Sequence, residues 1–531
     1  MKKMFLAVSF VAATLSMYAQ KADNMVIPRP QEVEYVWGYV TVPHTVALKD
    51  DFGLGEETTG YITSGLKDRY DISLDDSVHF VLNLSREPSL PEEGYRLNFT
   101  SRSIGLSAAT ESGIFYGMQT LFQMLDACGQ YGYQSYTFNC QTIVDAPRFP
   151  WRAYMLDEAR HFMGKEVVKN ILDEMARLKM NVFHWHLVND AGWRIESRKY
   201  PELTRVGSVR MDTEICGWKS GMTMGEPHGG FYTQEEIREI VEYARLRHIR
   251  IVPEISMPGH ASAAIAAYPW LGITKEKIEV PVKFGKHYCS YDVIDPKVVR
   301  FLQDIILEVS ELFDADLIHI GGDEVRFDQW EADRDLCAYK KKMGFNSFMD
   351  IQIDFTNRMS DFAAKNGITI MGWNELLGKN FHAGDNISFA ETSTAVNEDV
   401  IIHFWVGDPN EVNRAAKQGN RIVNSNNEYT YIDYNYDALP LEKAYGFDPM
   451  PADLAPEYQS KILGLGCQMW TEWAATPQDV YIGTFPRIAA FAEDGWTEPA
   501  GKDYDSFIMR LKLLVPQWKA KGISVYPSPE L

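Results

Sequence analysis

The sequence predicts an α/β protein: a (β/α)8 TIM barrel that carries the chemistry, preceded by a small α/β accessory domain. Three observations lead there. From about residue 147 a unit of short apolar run, loop and amphipathic helix recurs until eight strand candidates have passed. A doubly wound open sheet would use fewer strands. The preceding stretch has its own shorter set of strand-like runs, and nearly every barrel run ends on a carboxylate, a histidine or a tryptophan.

In chain order, residues 1–19 begin with Lys2 and Lys3, run apolar from Phe5 to Met17 and end at Tyr18-Ala19 before Gln20 and Lys21. That is the pattern of a secretory signal peptide cleaved after Ala19, so export to a periplasmic or extracellular compartment is expected. No other stretch approaches the length of apolar chain that a membrane span needs, and no membrane span is expected. Residues 20–146 read as the accessory domain, with strands at 33–36, 40–42, 79–84, 95–99 and 103–108 and a helix at 112–125. Asp145-Ala-Pro147-Arg-Phe-Pro150 marks a boundary, since each proline biases the residue before it toward extended backbone. The barrel then fills 147–531, including a short helical end. Its strands are expected at 153–156, 181–187, 249–253, 317–320, 369–372, 400–404, 421–424 and 462–469. Helices suit 165–178, 233–247, 296–312, 348–365, 409–417 and 486–496. The stretch 428–458 is irregular and rich in Tyr, Pro and Asp, a composition typical of a functional loop.

Composition narrows the function. With 73 acidic and 52 basic residues the net charge is −21, which disfavours nucleic acid as a partner because phosphate binding needs a basic footprint. Six cysteines, widely spaced and without a C-x-x-C, make neither a zinc site nor a disulfide scaffold; Cys128 and Cys140 could bridge or stay reduced. No cofactor is expected. In a barrel of this type chemistry gathers at the C-terminal ends of the strands. Those ends read Asp157 with Arg160-His161, His184-Trp-His186 with Asn189-Asp190, Glu254 with His260, Asp323-Glu324, Trp373 with Glu375, Trp405, and Trp470 with Glu472. Carboxylates accept sugar hydroxyls while indoles stack on the C–H face of a pyranose, so the pattern suits a carbohydrate. Asp323 and Glu324 follow Gly321-Gly322, and two neighbouring side chains can converge on one site only where the strand stops.

These ends, in order, resemble the glycoside hydrolase family 20 β-N-acetylhexosaminidases. The resemblance rests on Trp151-Arg152-Ala-Tyr-Met-Leu-Asp157-Glu-Ala-Arg160-His161, Asn181-Val-Phe-His184-Trp-His186, Gly192-Trp193-Arg194, Pro258-Gly259-His260, Gly321-Gly-Asp-Glu324, Trp373-Asn-Glu375 and Met469-Trp470-Thr-Glu472. It reaches the first domain at Gly113-Ile-Phe-Tyr-Gly117-Met-Gln119. It implies an exo-acting, retaining enzyme whose nucleophile is the substrate's own 2-acetamido oxygen, and a glycan with a terminal β-linked N-acetylhexosamine as substrate. It implies Glu324 as general acid/base, with a pKa raised by burial and by its neighbour, and Asp323 as the group that orients the acetamido N–H and stabilises developing charge. Arg152 is expected to fix sugar hydroxyls, Trp373, Trp405 and Trp470 to wall the pocket, Tyr431 and Asp433 to meet the acetamido group, and Glu472 to bind the 4- and 6-hydroxyls. Asp190 and His260 are expected to position the acid. The chain departs from the family pattern at Asn189-Asp190-Ala191, where Asp-Asp-Gln is usual, which leaves the Asp190–His260 pairing open, and at Ala153, where glycine is usual.

Two rival classes stand beside this reading. His184-Trp-His186 with His260 and Asp323 could hold a metal in an amidohydrolase-type barrel, although a further histidine at the later strand ends is not expected. Alternatively the pocket binds sugar without turning it over, against which the presence of both carboxylates argues. Trp193, Trp218, Trp330 and Trp496 are expected to pack in the core.

Overall fold

The structure, a computed structural model, describes residues 25–130, 135–285, 287, 289–378 and 392–531; the expected signal peptide lies outside them. The first domain is a seven-stranded mixed sheet built from β1 (Glu32–Val42), β2 (Thr45–Asp50), β3 (Ser73–Leu74), β4 (Val81–Arg86), β5 (Tyr95–Thr100), β6 (Ser103–Ala108) and β7 (Tyr136–Asp145), in the order β1-β7-β5-β6-β4-β2-β3. Helices α1 (Glu56–Tyr70) and α2 (Glu111–Gln130) accompany it. Alternation decides which face is covered: Leu82 and Leu84 on β4 and Ile104 and Leu106 on β6 are buried while their neighbours are only partly so. The runs 33–36 and 40–42 are one strand rather than two. Gly38, at φ +125°, allows β1 to bulge between Tyr35 and Tyr39 and keep pairing with β7. β2, β3, β7 and α1 were not anticipated: β3 is only two residues long, α1 buries only Ile62, Leu66 and Tyr70, and β7 is broken up by Asn139, Gln141 and Thr142.

The barrel strands are β8 (Trp151–Asp157), β9 (Val182–Asn189), β10 (Arg250–Ile255), β11 (Leu317–His319), β12 (Thr369–Trp373), β13 (Ile401–Phe404), β14 (Ile422–Asn424) and β15 (Ile462–Met469). All neighbours run parallel, and β15 pairs with β8, which closes the sheet. The outer helices are α3 (Lys165–Arg177), α4 (Gln234–Arg245), α5 (Pro296–Phe313), α6 (Phe348–Ala364), α7 (Asn410–Gln418) and α8 (Arg487–Trp496), so each expected strand and helix is present to within a few residues. Their starts are chemically marked. Thr233 and Ser347 form capping boxes with Glu236 and Asp350, and Asp295 caps α5 ahead of Pro296. The C-terminal end is a longer helix than expected, α9 (Tyr504–Ala520), with Pro516 inside it.

The barrel interior is layered, and the layers place the site. Toward the N-terminal ends Trp151, Ala153, Val182, Val252, Leu317, Met371, Ile401 and Val423 form an apolar plug. Above it His184, Glu254, His319 and His403 form a buried polar layer. Above that, Met155, Trp373, Tyr431 and Trp470 form a separate aromatic cluster. The two domains are joined by buried polar contacts. Asp145, at the end of β7, lies 3.1 Å from Lys179 Nζ and accepts hydrogen bonds from Tyr95 Oη (2.5 Å) and Trp496 Nε1 (2.9 Å).

Candidate active site

β11 ends at His319, and the chain then turns sharply. Gly321 (φ +68°), Gly322 (φ +87°) and Glu324 (φ +52°) all lie in the left-handed region. Glycine enters that region without a steric penalty, whereas a glutamate held there is strained, a feature that clusters at functional sites. The turn is pinned from several sides. His319 Nδ1 accepts from the Gly321 N–H (3.0 Å), Trp373 N–H donates to the Gly321 carbonyl (2.8 Å) and Gln352 Nε2 donates to the Gly322 carbonyl (2.6 Å). A Cβ on Gly322 would lie 2.8 Å from Leu376 Cδ2, so close packing also favours glycine here. The outcome is that Asp323 and Glu324 both face one cavity of about 390 Å³ at the C-terminal end of the barrel.

His260 organises the pair. Its Nδ1 lies 2.7 Å from Asp190 Oδ2, and its Nε2 lies 3.5 Å from both Asp323 Oδ2 and Glu324 Oε2. Burial alone would drive the imidazole toward its neutral form, but the contacts with Asp323, Asp190 and Glu324 outweigh that and hold its pKa well above the usual value. Asp190 moves the other way: its own burial would raise it, but the contact with His260 outweighs that and pulls it down to about 2. The Asn189-Asp190-Ala191 departure therefore leaves the Asp190–His260 contact in place. Asn189 instead donates to His186 Nε2 (3.0 Å) and accepts from the Asp190 N–H (2.7 Å).

Trp373, Trp405, Tyr431 and Trp470 wall the cavity. Trp373 is held by a bond from its Nε1 to Glu254 (3.0 Å) and by stacking on His403 at 4.1 Å. Trp405 donates to Glu375 Oε2 (2.9 Å) and lies parallel to Tyr431, with centroids 5.9 Å apart. Tyr431 and Trp470 come within 6.0 Å. Asp433 and Glu472 complete the lining. Among the described residues, two buried carboxylate oxygens of the cavity lining have no hydrogen-bond partner, Asp323 Oδ1 and Asp433 Oδ1. Buried polar groups are rarely left so, which marks them as groups awaiting a polar ligand. The carboxylates away from the turn are disfavoured as anions. Burial pushes Glu375 up to about 8, with Asp323 adding to it, and pushes Asp433 well above the usual range. Burial also raises Glu472, with Arg160 opposing.

One expected residue is elsewhere. Arg152 sits near the start of β8, at the opposite end of the barrel from the cavity, where its guanidinium bonds Glu93 (2.8 and 3.1 Å) and the carbonyls of Lys179 and Phe149. Barrel strands present only their C-terminal ends to the site, and five residues of strand span about 16 Å. The arginine in the cavity is Arg160. It lies 3.5 Å from Asp157, 3.6 Å from Glu472 and over the Trp470 ring at 5.1 Å. Asp157 anchors its loop by accepting from the Ala159 and Arg160 N–H groups. The signal for Arg160 was present in its position three residues after the strand's terminal Asp157.

The histidines of β9 are wall residues of the polar layer. Glu254 Oε2 lies 2.8 Å from His184 Nε2 and 2.7 Å from His186 Nδ1. Contrary to expectation, two later strands also contribute histidines, His319 and His403. Ligand atoms of His184, Glu254 and His319 lie within 4.8 Å of one another, but none of the three lines the cavity, and Asp323 and His260 are not among them. Trp193, Trp330 and Trp496 are buried as expected, whereas Trp218 is exposed and lines the cavity. Trp473, Tyr434 and Asn427 also line it and were not singled out. Cys128 and Cys140 are not bridged.

The chain was compared with known proteins. The family model described as glycosyl hydrolase family 20, catalytic domain, matches residues 149–499, and the model for domain 2 of the same family matches residues 23–146. A β-hexosaminidase of Porphyromonas gingivalis is 33% identical over 98% of this chain and 68% of its own length. One from Vibrio furnissii is 30% identical over 91% and 77%. Among solved structures, a β-N-acetylhexosaminidase from Bacteroides fragilis has a TM-score of 0.80 at 27% identity, covering 95% of this chain and 98% of that one. A Flavobacterium johnsoniae chitobiase has a TM-score of 0.78 at 32% identity, covering 95% and 74%.

Proposed function

The chain belongs to glycosyl hydrolase family 20, and on that premise we propose that it is an exo-acting, retaining β-N-acetylhexosaminidase working by substrate-assisted catalysis. It is a glycoside hydrolase that acts on N-acetylhexosamine. The finer reading is that it removes terminal non-reducing GlcNAc or GalNAc from glycans. The observation that carries it is the pairing of Asp323 and Glu324 at one turn, both within 3.5 Å of His260, in a cavity based on Trp373, Tyr431 and Trp470.

In the first step Glu324 protonates the glycosidic oxygen while the substrate's acetamido carbonyl oxygen attacks C1. The C1–O bond to the leaving group breaks, and a cyclic oxazolinium forms. Asp323 accepts the acetamido N–H and offsets the positive charge that grows on that ring. In the second step Glu324, now a carboxylate, takes a proton from water as the water oxygen attacks C1, and the acetamido group is restored with the β configuration retained. A cationic His260 held by Asp190 offsets the negative charge of Asp323 and, once Glu324 has given up its proton, that of Glu324 as well. The other carboxylates of the cavity lining, Asp433 and Glu472, are poor candidates for a protein nucleophile, since burial displaces both toward the neutral form. The ion-paired Arg160 and Glu472 are suited to the sugar hydroxyls, the arginine taking the role the sequence had suggested for Arg152. Exo action is supported by the base of the cavity, where the Met155, Trp373, Tyr431 and Trp470 cluster rests on the buried His–Glu layer.

An aryl N-acetyl-β-glucosaminide tests this. Glu324→Gln is expected to abolish turnover, and Asp323→Asn to lower it by about 10²–10³, the usual cost of losing a charge-stabilising group. Proton NMR of the first product should show the β anomer. Near-wild-type rates in either variant, or an α product, would refute the mechanism; binding without turnover in the unmodified protein would support a sugar-binding role instead.

A further inference from the structure

The base of the cavity is buried, but two of its tryptophans are not: Trp218 is 44% exposed and Trp473 is 50% exposed. Trp218 lies in the 211–226 segment between β9 and β10, and Trp473 directly follows Glu472 beyond β15. Both indoles are seated on glycine backbone. A Cβ on Gly217 (φ +91°) would overlap the benzo ring of Trp473, and one on Gly285 (φ +113°) would overlap the pyrrole edge of Trp218. Lys219 Nζ lies 4.1 Å from the centroid of the Trp218 ring. The segment itself is tied down, since Glu214 N–H donates to the Val282 carbonyl and Phe284 N–H to Glu214 Oε2. Two large apolar rings are thus held at the solvent side of a cavity, where burial in the core would be their ordinary fate.

We propose that Trp218 and Trp473 form a platform for the leaving group, and that the platform selects substrates whose leaving group is itself a pyranose sugar presenting a C–H face. The inference rests on the reading that the cavity base holds the terminal N-acetylhexosamine. With the base occupied, the glycosidic oxygen faces Glu324, and whatever lies beyond it must extend toward the mouth, where these indoles are. A pyranose stacks its axial C–H groups on an indole face, whereas an alkyl group covers little of it.

The test compares two substrates, the β1,4-linked disaccharide of N-acetylglucosamine and methyl N-acetyl-β-glucosaminide, which keeps the terminal sugar and has a methyl group in place of the second ring. The readout is the ratio of kcat/KM values, disaccharide over methyl glycoside, which cancels differences in the amount of folded protein. In Trp218→Ala/Trp473→Ala the ratio is expected to fall about tenfold, the size of effect aromatic stacking supplies. Trp218→Phe/Trp473→Phe should retain most of it. A ratio unchanged in the alanine variant overturns the platform alone, as does an equal fall in the phenylalanine variant. An unmodified protein that turns over neither substrate overturns the parent reading and the platform with it.

Discussion

His260 faces one carboxylate behind it and two in front, and this arrangement sets the charge of the site at the scale of single residues. Asp190 at 2.7 Å fixes the ring, and the opposite nitrogen is shared at 3.5 Å by Asp323 and Glu324. Glu375 adds a fourth carboxyl, kept neutral by burial and by Asp323 up to about pH 8. Its raised pKa has a calculable consequence. Between the ordinary carboxyl value of 4.5 and about 8 the folded protein holds a proton on Glu375 that the unfolded chain has released, so stability falls as pH rises across that window. Glu375→Gln is expected to remove up to one proton, at most about 1.4 kcal/mol per pH unit, from the slope of unfolding free energy against pH. Urea titrations at pH 5, 6, 7 and 8 check this, and identical slopes in the two proteins would contradict it. Residue types and order made most of this site legible, since Asp323, Glu324, Trp373, Trp405, Tyr431, Asp433, Trp470 and Glu472 share the cavity. Arg152 was misread because an arginine beside a barrel strand says nothing about function until its end of the strand is known.

The decisive element is the turn after β11, where two glycines and a left-handed glutamate follow a three-residue strand. Gly322→Ala forces a Cβ to within 2.8 Å of Leu376 at a backbone angle that L-residues resist, for an expected cost of about 1–2 kcal/mol. Because the same shift moves Asp323 and Glu324, turnover is expected to fall by more than the stability loss explains, with kcat affected more than KM. Steady-state kinetics alongside urea unfolding separates the two, and a destabilised variant with wild-type kcat would show that the turn does not position the pair. Strong elements were readable from sequence for physical reasons. Helix α4 announces itself through Thr233 and Glu236, and β15 through an apolar run interrupted only by Gln468 and buried on both faces apart from Leu463. Weak ones were not: α1 has too few buried positions to show a period, and α9 carries a proline that masks its continuity.

At the scale of the whole molecule the two domains are held together by charge buried between them. Lys179 and Asp145 are both fully buried, and burial lowers the pKa of the lysine while Asp145 opposes that shift. Removing one partner leaves the other uncompensated, so Lys179→Met is expected to destabilise the protein by about 3–5 kcal/mol, with much of the loss recovered in Lys179→Met/Asp145→Asn. Chemical denaturation of the two single variants and the double variant checks this, and simple additivity would contradict it. Such long-range pairs were invisible in the sequence because 34 positions separate the partners and nothing beside either residue points to the other. The barrel they support exists, on this account, to aim a substrate amide at its own anomeric carbon, and one measurement addresses that claim directly. It is the dependence of kcat/KM on fluorination of the acetamido methyl in a series of aryl β-glycosides, from acetamido to trifluoroacetamido. Fluorine withdraws electrons from the attacking carbonyl oxygen, so kcat/KM is expected to fall at each step and by more than about tenfold across the series, about 1.4 kcal/mol of barrier. A flat series would contradict participation of the substrate's own amide.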